Sequence, residues 1–470
     1  MGLELARWQF AFVTIFHFFL VPVTIGLGLL VAVMQTLAYR RKDAGWDRLT
    51  RFFGRMFLIN LATGVVSGIV LEFEFGLNWS NYSAFVGNIF GAPLALEALI
   101  AFFLESTFVG LWIFGRDRLS PRVHLATIWA TSVGTILSAY FILVANAWMQ
   151  HPVGYKVEGG QAVLTDFWAV LGNSTALESF AHTILAAVST GAALMLGVSV
   201  WRAYKDRGDT ERASLFHRAA RFSAAFLLVA VILTAVSGDL QARLMDTQQP
   251  MKMASAEALY NTSKGASFSI ITIGTLNGSK PVFQIRVPHL LSLIADLSWD
   301  GQVQGINQVQ AAEAAKYGPG SYTPVTWITY WSFRLMVGAG MAMIGLGALA
   351  LWGLRRRRFW QNKWFRRAAT FGIALPFLAN STGWIFTEVG RQPWVVYGLL
   401  KTSQGVSPVP TADVVFSLVM FVAVYAVIFS ADALLMVRAA RRELDDVSPN
   451  TPAPSGGAPD EAARVPSLIY

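Results

Sequence analysis

The sequence predicts an all-α integral membrane protein of about nine transmembrane helices, with its N-terminus outside and its C-terminus in the cytoplasm. Three observations carry that prediction. Only 14% of the 470 residues are charged and mean hydropathy is +0.48, whereas an ordinary soluble chain carries roughly 25% charged residues. Apolar runs recur along most of the chain, each near the ~20 residues that a bilayer core requires. Basic residues gather in alternate connections between those runs.

Taken in order, the spans fall near 8–38, 56–76, 92–114, 123–150, 178–201, 218–238, 324–353, 368–389 and 411–437. The first apolar run, Phe10 to Val33, is too long for a signal-peptide core and has no small-residue cleavage site, so it reads as a true span. Lys and Arg fill the connections from Arg40 to Arg55, Arg116 to Arg122, Arg202 to Arg221 and Arg355 to Arg367, and the tail after Arg438. The intervening connections are nearly free of them, which assigns the basic set to the cytoplasm. Residues 1–238 then hold six spans, 239–323 form a long outer loop, 324–440 hold three spans, and 441–470 form a tail of disordered composition. An outer connection of that length is expected to be functional or disordered. No internal repeat stands out, which argues against an inverted-repeat transporter. The absence of cysteine excludes disulfides, iron–sulfur clusters and thiolate-held haem. The net charge of +9 reflects orientation in the membrane and points to no nucleic-acid partner.

Ionisable groups inside a bilayer are costly, so each is a functional candidate. His17 in IFHFFLVPVTIGLGLL and His182 in ESFAHTILAAVSTGAALML have apolar neighbours on both sides. Each reads as an iron ligand or as a hydrogen-bonding partner of a neighbouring helix. Met336 is a packing residue by default, but it lies two residues from Arg334, an intramembrane guanidinium that needs an anion. A haem propionate would serve, and His/Met ligation holds haem iron. Gly338, Gly340, Gly345, Ser189 and Gly191 either leave room for a macrocycle or pack helices. Glu97 and Glu105 stand about 12 Å apart along a helix, roughly on one face, a spacing that suits a proton relay better than a metal site. Glu388 ends span eight three residues before Arg391, as a functional carboxylate or as a structural pair. By the predicted topology His17, His182, Met336 and Glu388 all lie in the outer half of the membrane.

At these residues the chain resembles subunit I of the cytochrome bd-type quinol oxidases. The stretches that carry the resemblance are RWQFAFVTIFHFFLVPVTIGLG, EFEFGLNWSNYS, GNIFGAPLALEALIAFFLESTFVGLW, ILVANAWMQHPVG and GWIFTEVGRQPW. They extend from the N-terminus to about residue 440. The resemblance implies three haems, quinol oxidation and reduction of oxygen to water in a bacterial cytoplasmic membrane. It implies that His182 and Met336 ligate a low-spin haem b, with Arg334 beside it. His17 and Glu388 would then bind the other two haems, one high-spin b and one d, in an order that differs between members. Trp384 would lie between haems, near Arg391. Glu97, Glu105, Ser138 and Asn146 match positions of proton or oxygen access and of haem d surroundings. Lys252 and Glu257 match a quinol-binding pair in the outer loop, which is short here.

The resemblance further implies proton release outside and uptake from the cytoplasm, which generates a membrane potential without a pump. A second subunit of similar membrane fold is expected as partner, with a small accessory chain in some members. His151 stands where many members carry asparagine. A variant with only b-type haems, a proton-coupled transporter and a bis-histidine haem anchor are the competing readings. A haem–copper oxidase needs more intramembrane histidines than these two.

Overall fold

The computed structural model describes residues 2–275, 280–355 and 359–444. Among the described residues, eight helices are long and apolar enough to cross a bilayer: Gly2–Arg41, Ala44–Leu77, Ser80–Phe114, Pro121–Gln150, Phe167–Lys205, Thr210–Gln248, Thr326–Gly353 and Thr411–Arg441. These are spans one to seven and span nine. Several run to 39 or 40 residues, about 60 Å of helix against a hydrocarbon core of about 30 Å. They therefore project well beyond the apolar runs that marked them.

Span eight is broken. It consists of Lys363–Phe371 and Ala374–Val389, interrupted at 372 and 373. Pro376, inside the second piece, has no N–H to offer Gly372 and its ring crowds that carbonyl. The expected continuous span at 368–389 is thus two shorter helices, the second of 16 residues.

Alternate connections meet at one end of the bundle, where the basic residues are fastened. Arg218 reaches Asp43 at 2.6 Å, Arg116 reaches Asp47 at 2.5 Å and Arg48 reaches Glu211 at 2.5 Å. Arg202 donates to the Arg441 carbonyl at 3.0 Å and Arg221 to that of Leu354 at 2.6 Å. Asp43 and Asp209 also cap spans two and six by accepting from Gly45, Trp46 and Arg212 N–H groups. This is the basic end; the long connections lie at the other, the loop end.

Span six continues past the expected boundary at 238 to Gln248, with Asp239 and Arg243 paired one turn apart on it. The loop that follows is folded. It holds helices Pro250–Ala256, Leu290–Asp296 and Ile306–Tyr317, and strands Phe268–Gly274 and Pro281–Val287 paired antiparallel. The expected disordered tail lies outside the described residues from 445 onward. A large apolar core near the basic end includes Phe52, Phe53, Phe57, Met195 and Phe216, and a second at the loop end includes Trp79, Tyr82, Phe90 and Trp148. Span three instead turns Leu99, Phe102, Phe103 and Phe114 outward.

Candidate functional site

His17 on span one and His182 on span five are held in the same way, each by a serine of the next span. His17 Nδ1 lies 2.8 Å from Ser67 Oγ, and that hydroxyl donates to the Gly64 carbonyl at 2.8 Å. His182 Nδ1 lies 3.1 Å from Ser237 Oγ, which donates to the Thr234 carbonyl at 2.9 Å. With its proton committed to a carbonyl, each hydroxyl accepts from the imidazole, which places the ring proton on Nδ1. Nε2 then carries the lone pair that an iron requires. Among the described residues no hydrogen bond engages Nε2 of either ring. Glycines clear the space beside both rings: a Cβ on Gly68 would stand 3.2 Å from His17 Cε1, and one on Gly238 3.4 Å from His182 Cε1.

Met336 on span seven packs its thioether against Gly383 of span eight, where a Cβ would stand 3.0 Å from Sδ. Among the described residues no atom lies within 4 Å of a Cβ position on Gly338, Gly340 or Gly345, so open space adjoins span seven there. Gly191 is different. A Cβ on it would lie 2.5 Å from the backbone of Gly26, and one on Gly26 would lie 2.1 Å from the Ala187 carbonyl oxygen. Ser189 bonds its own helix at the Leu185 carbonyl. For Gly191, helix packing is the correct reading of the two.

Glu388 uses both oxygens. Oε1 accepts from Asn146 Nδ2 at 3.0 Å, and Oε2 is ion-paired with Arg391. Each oxygen keeps lone-pair capacity beyond one donor. Trp384, one turn earlier, packs edge-on against Phe18 at 5.1 Å, beside His17 in sequence.

Glu97 accepts from Ser138 Oγ at 2.7 Å. Span three is not a regular α-helix here: Glu97–Phe102 form a π-helical stretch, a widened turn that recurs at functional positions. The regular spacing expected between Glu97 and Glu105 is therefore modified. Glu105 is buried, and span four approaches its backbone at Gly134, where a Cβ would stand 2.8 Å from Glu105 N.

At the loop end Lys252 and Glu257 are both buried but face different partners. Lys252 Nζ donates to Gln150 Oε1 at 2.7 Å. Glu257 is paired with Arg334 at 2.7 Å and accepts from Ser269 N–H at 2.9 Å. Burial pushes the Lys252 ammonium down to about 7, helped by Arg391 and opposed by Glu388. Burial raises the Glu257 carboxyl, against the pull of Arg334. Ala258, next to Glu257, holds a left-handed φ of 45°, and Arg286 grips its carbonyl at 2.6 Å. A cleft of about 30 Å³ lined by Tyr260, Trp327, Tyr330 and Trp331 opens close by, room for a water and not for a quinol ring.

The anion that sequence reasoning sought for Arg334 is Glu257, at least for one of its nitrogens. Among the described residues Nε and Nη1 of Arg334, and Nε of Arg391, are buried without a partner. A buried guanidinium N–H left open calls for a further acceptor. Two neutral imidazole nitrogens, a thioether, a carboxylate with spare lone pairs and two arginines with open donors fit haem irons and their propionates.

Three buried groups escaped sequence reasoning. Glu74 on span two, fully buried, accepts from Gln9 at 2.8 Å. Asp432 on span nine accepts from Thr63 at 2.8 Å. Both carry the signal that marked Glu97, an acid within an apolar run. Gln150 joins Lys252 to Asn146, donating from Nε2 to Asn146 Oδ1 at 2.8 Å. Its only trace in the sequence is an amide one turn after another amide.

Known proteins match this chain almost end to end. Residues 5–444 match the model of the family described as cytochrome bd terminal oxidase subunit I. The cytochrome bd ubiquinol oxidase subunit 1 of Bacillus subtilis (strain 168) is 44% identical, over 93% of this chain and 93% of that protein. The cytochrome bd-II ubiquinol oxidase subunit 1 of Escherichia coli (strain K12) is 33% identical, over 93% of this chain and 96% of that protein. The solved structure of bd oxidase from Geobacillus thermodenitrificans has a TM-score of 0.85 at 26% identity, covering 94% of this chain and 98% of that chain. Matched over nearly its whole length in sequence and in fold, the chain belongs to the cytochrome bd terminal oxidase subunit I family.

Proposed function

We propose that this chain is the haem-bearing subunit of an electrogenic quinol:oxygen oxidoreductase, with quinol oxidised at the loop end and protons for water taken from the basic end. Family membership makes it a multi-pass protein of the bacterial inner membrane and a respiratory oxidoreductase. The observation that carries the finer reading is the pair of serine-held histidines, each with Nε2 left free for iron.

Haem, when bound, supplies one-electron transfer and the reduction of oxygen to water. His182 and Met336 would together hold a low-spin haem b, which would pass electrons without binding oxygen. His17 and Glu388 would hold a high-spin haem b and a haem d. The open N–H groups of Arg334 and Arg391 would receive propionates, and Trp384 would stand between macrocycles. Glu257, its carboxyl raised by burial, accepts a quinol proton at the loop end, and Lys252 holds a quinol oxygen. Glu105, and Glu97 with Ser138, hold and hand on protons that enter from the basic end, which the positive-inside rule places in the cytoplasm. Releasing protons on one side and consuming them from the other builds a potential without a pump.

A second subunit of similar membrane fold covers part of this bundle. The outward-facing apolar side chains of span three, beside the part-exposed Glu97, support that. Carboxylates are expensive against lipid.

The test is the optical spectrum of the reduced purified complex. A low-spin b signal that disappears in His182→Ala and in Met336→Leu supports the assignment, and an unchanged signal contradicts it. A red-shifted chlorin band separates the haem d form from one with b-type haems alone. Colourless protein would sink the reading altogether.

A further inference from the structure

Between the loop end and span eight runs an unbroken line of four side chains. Lys252 Nζ donates to Gln150 Oε1 at 2.7 Å, Gln150 Nε2 to Asn146 Oδ1 at 2.8 Å, and Asn146 Nδ2 to Glu388 Oε1 at 3.0 Å. The sense of this line is fixed from both ends. A lysine ammonium can only donate, so Gln150 must turn its carbonyl oxygen toward it and its NH2 toward Asn146. An ionised glutamate can only accept, so Asn146 must turn its NH2 to Glu388 and its carbonyl back to Gln150. The two requirements agree, and every dipole in the line points the same way. Bonds aligned in this manner polarise one another, the more so in a low-dielectric interior. Lys252 and Gln150 are 4% and 8% exposed, so water competes little for these bonds. Gln249 adds a brace by donating to the Gln150 backbone carbonyl at 2.6 Å.

We propose that Gln150 is a positioning residue that couples the quinol-facing Lys252 to Glu388, so that occupancy of the loop-end site is felt at the haem held by that carboxylate. The proposal rests on the reading of Lys252 and Glu388 given above. A quinone oxygen that draws the Lys252 ammonium toward itself weakens the first bond of the line. Asn146 then polarises less and donates less strongly to Glu388, which leaves more electron density on the carboxylate for its iron. The amides carry polarisation and not protons, since neither has a proton to give up in this range.

The experiment measures each haem's midpoint potential and optical band in the purified complex, with and without a short-chain benzoquinone or naphthoquinone. In the native protein, quinone should move the potential of the Glu388-held haem. In Gln150→Met, which fills the same volume without either hydrogen-bonding end, at least half of that quinone-induced shift should vanish, with haem content unchanged. Gln150→Asn, a methylene shorter, serves where the methionine variant fails to assemble and should lose the shift in the same way. A shift that persists undiminished in an assembled variant overturns the coupling, as does its absence from the native complex. Glu388→Gln is the separate control. If it perturbs no haem band, the ligand assignment has failed and not the coupling.

Discussion

Glu257 of the loop and Arg334 of span seven form a buried ion pair at 2.7 Å, which ties the loop carboxylate to the helix that bears Met336. Arg334 is further packed among the rings of Phe268, Tyr330 and Phe333, with its Cζ 4.6 to 5.0 Å from their centroids. The proposed proton acceptor for quinol and the candidate haem ligand are thus two steps apart through one guanidinium.

Breaking this pair should not be symmetric. Removing one partner of a buried pair costs about 3–5 kcal/mol when the other stays charged. A stranded carboxylate can take up a proton, whereas a stranded guanidinium cannot lose one. In the haem-free chain, where no propionate shares Arg334, Glu257→Gln should therefore lower the thermal midpoint more than Arg334→Met does. Differential scanning fluorimetry at neutral pH on haem-depleted protein checks the order, and equal losses would argue against a buried pair.

The serines behind the two histidines should act one haem at a time. Ser67→Ala removes the acceptor for His17 Nδ1, and Ser237→Ala that for His182. Such outer partners typically contribute 10–100-fold to metal affinity. Each variant should lose its own haem faster on dilution and shift its own band, with the other haem unaffected. Retention of both haems with unaltered bands in either variant would remove that serine from the ligand's support.

How far the sequence could be read follows from the range of each signal. Spans one to seven and nine were legible because apolar length is a local property. The break in span eight was signalled by Pro376 but overridden by the apolar run around it. The extension of span six to Gln248 went unseen because its last turns are polar and stand clear of the apolar run. His17 and His182 were conspicuous as lone polar residues among apolar neighbours. Their serines were not, since serine is ordinary in a membrane helix and the partners lie 50 and 55 residues away. The Lys252–Gln150 and Asn146–Glu388 contacts span 102 and 242 residues. No spacing rule reaches so far. The glycines of spans one, five and seven looked alike in sequence, and only the packing separated those that join helices from those beside open space.

The pH dependence of quinol binding should follow Lys252. Its pKa of about 7 means that the ammonium is present below pH 7 and lost above it. If that charge holds the quinol oxygen, KM for quinol stays low below pH 7 and climbs above it, by at most about tenfold per pH unit. Glu257 is raised, so its base form grows with pH and works in the opposite direction, in kcat. Lys252→Met should show a high KM at every pH. Lys252→Arg, whose guanidinium stays charged, should flatten the profile. A KM profile with the same inflection in the arginine variant would assign the titration to another group.

Glycine substitutions can separate helix packing from haem accommodation. A methyl on Gly26 would stand 2.1 Å from the Ala187 carbonyl oxygen, a backbone atom that cannot turn aside. Close approach of small residues is what joins helices in a bilayer, so Gly26→Ala must separate spans one and five. Overpacking of this kind costs about 1–3 kcal/mol or more, and His17 and His182 ride on the two helices that move. Gly26→Ala should therefore lower the thermal midpoint and the yield of assembled complex together with its haem. Among the described residues Gly338 meets nothing within 4 Å, so the polypeptide itself should accept Gly338→Leu. If a macrocycle occupies the space beside span seven, that leucine should block loading of the Met336-held haem while the protein inserts at normal yield. The haem-to-protein ratio and the amount of membrane-inserted chain, measured together, distinguish the two effects. Full haem loading of the leucine variant would show that the space beside Gly338 faces lipid or partner and holds no cofactor.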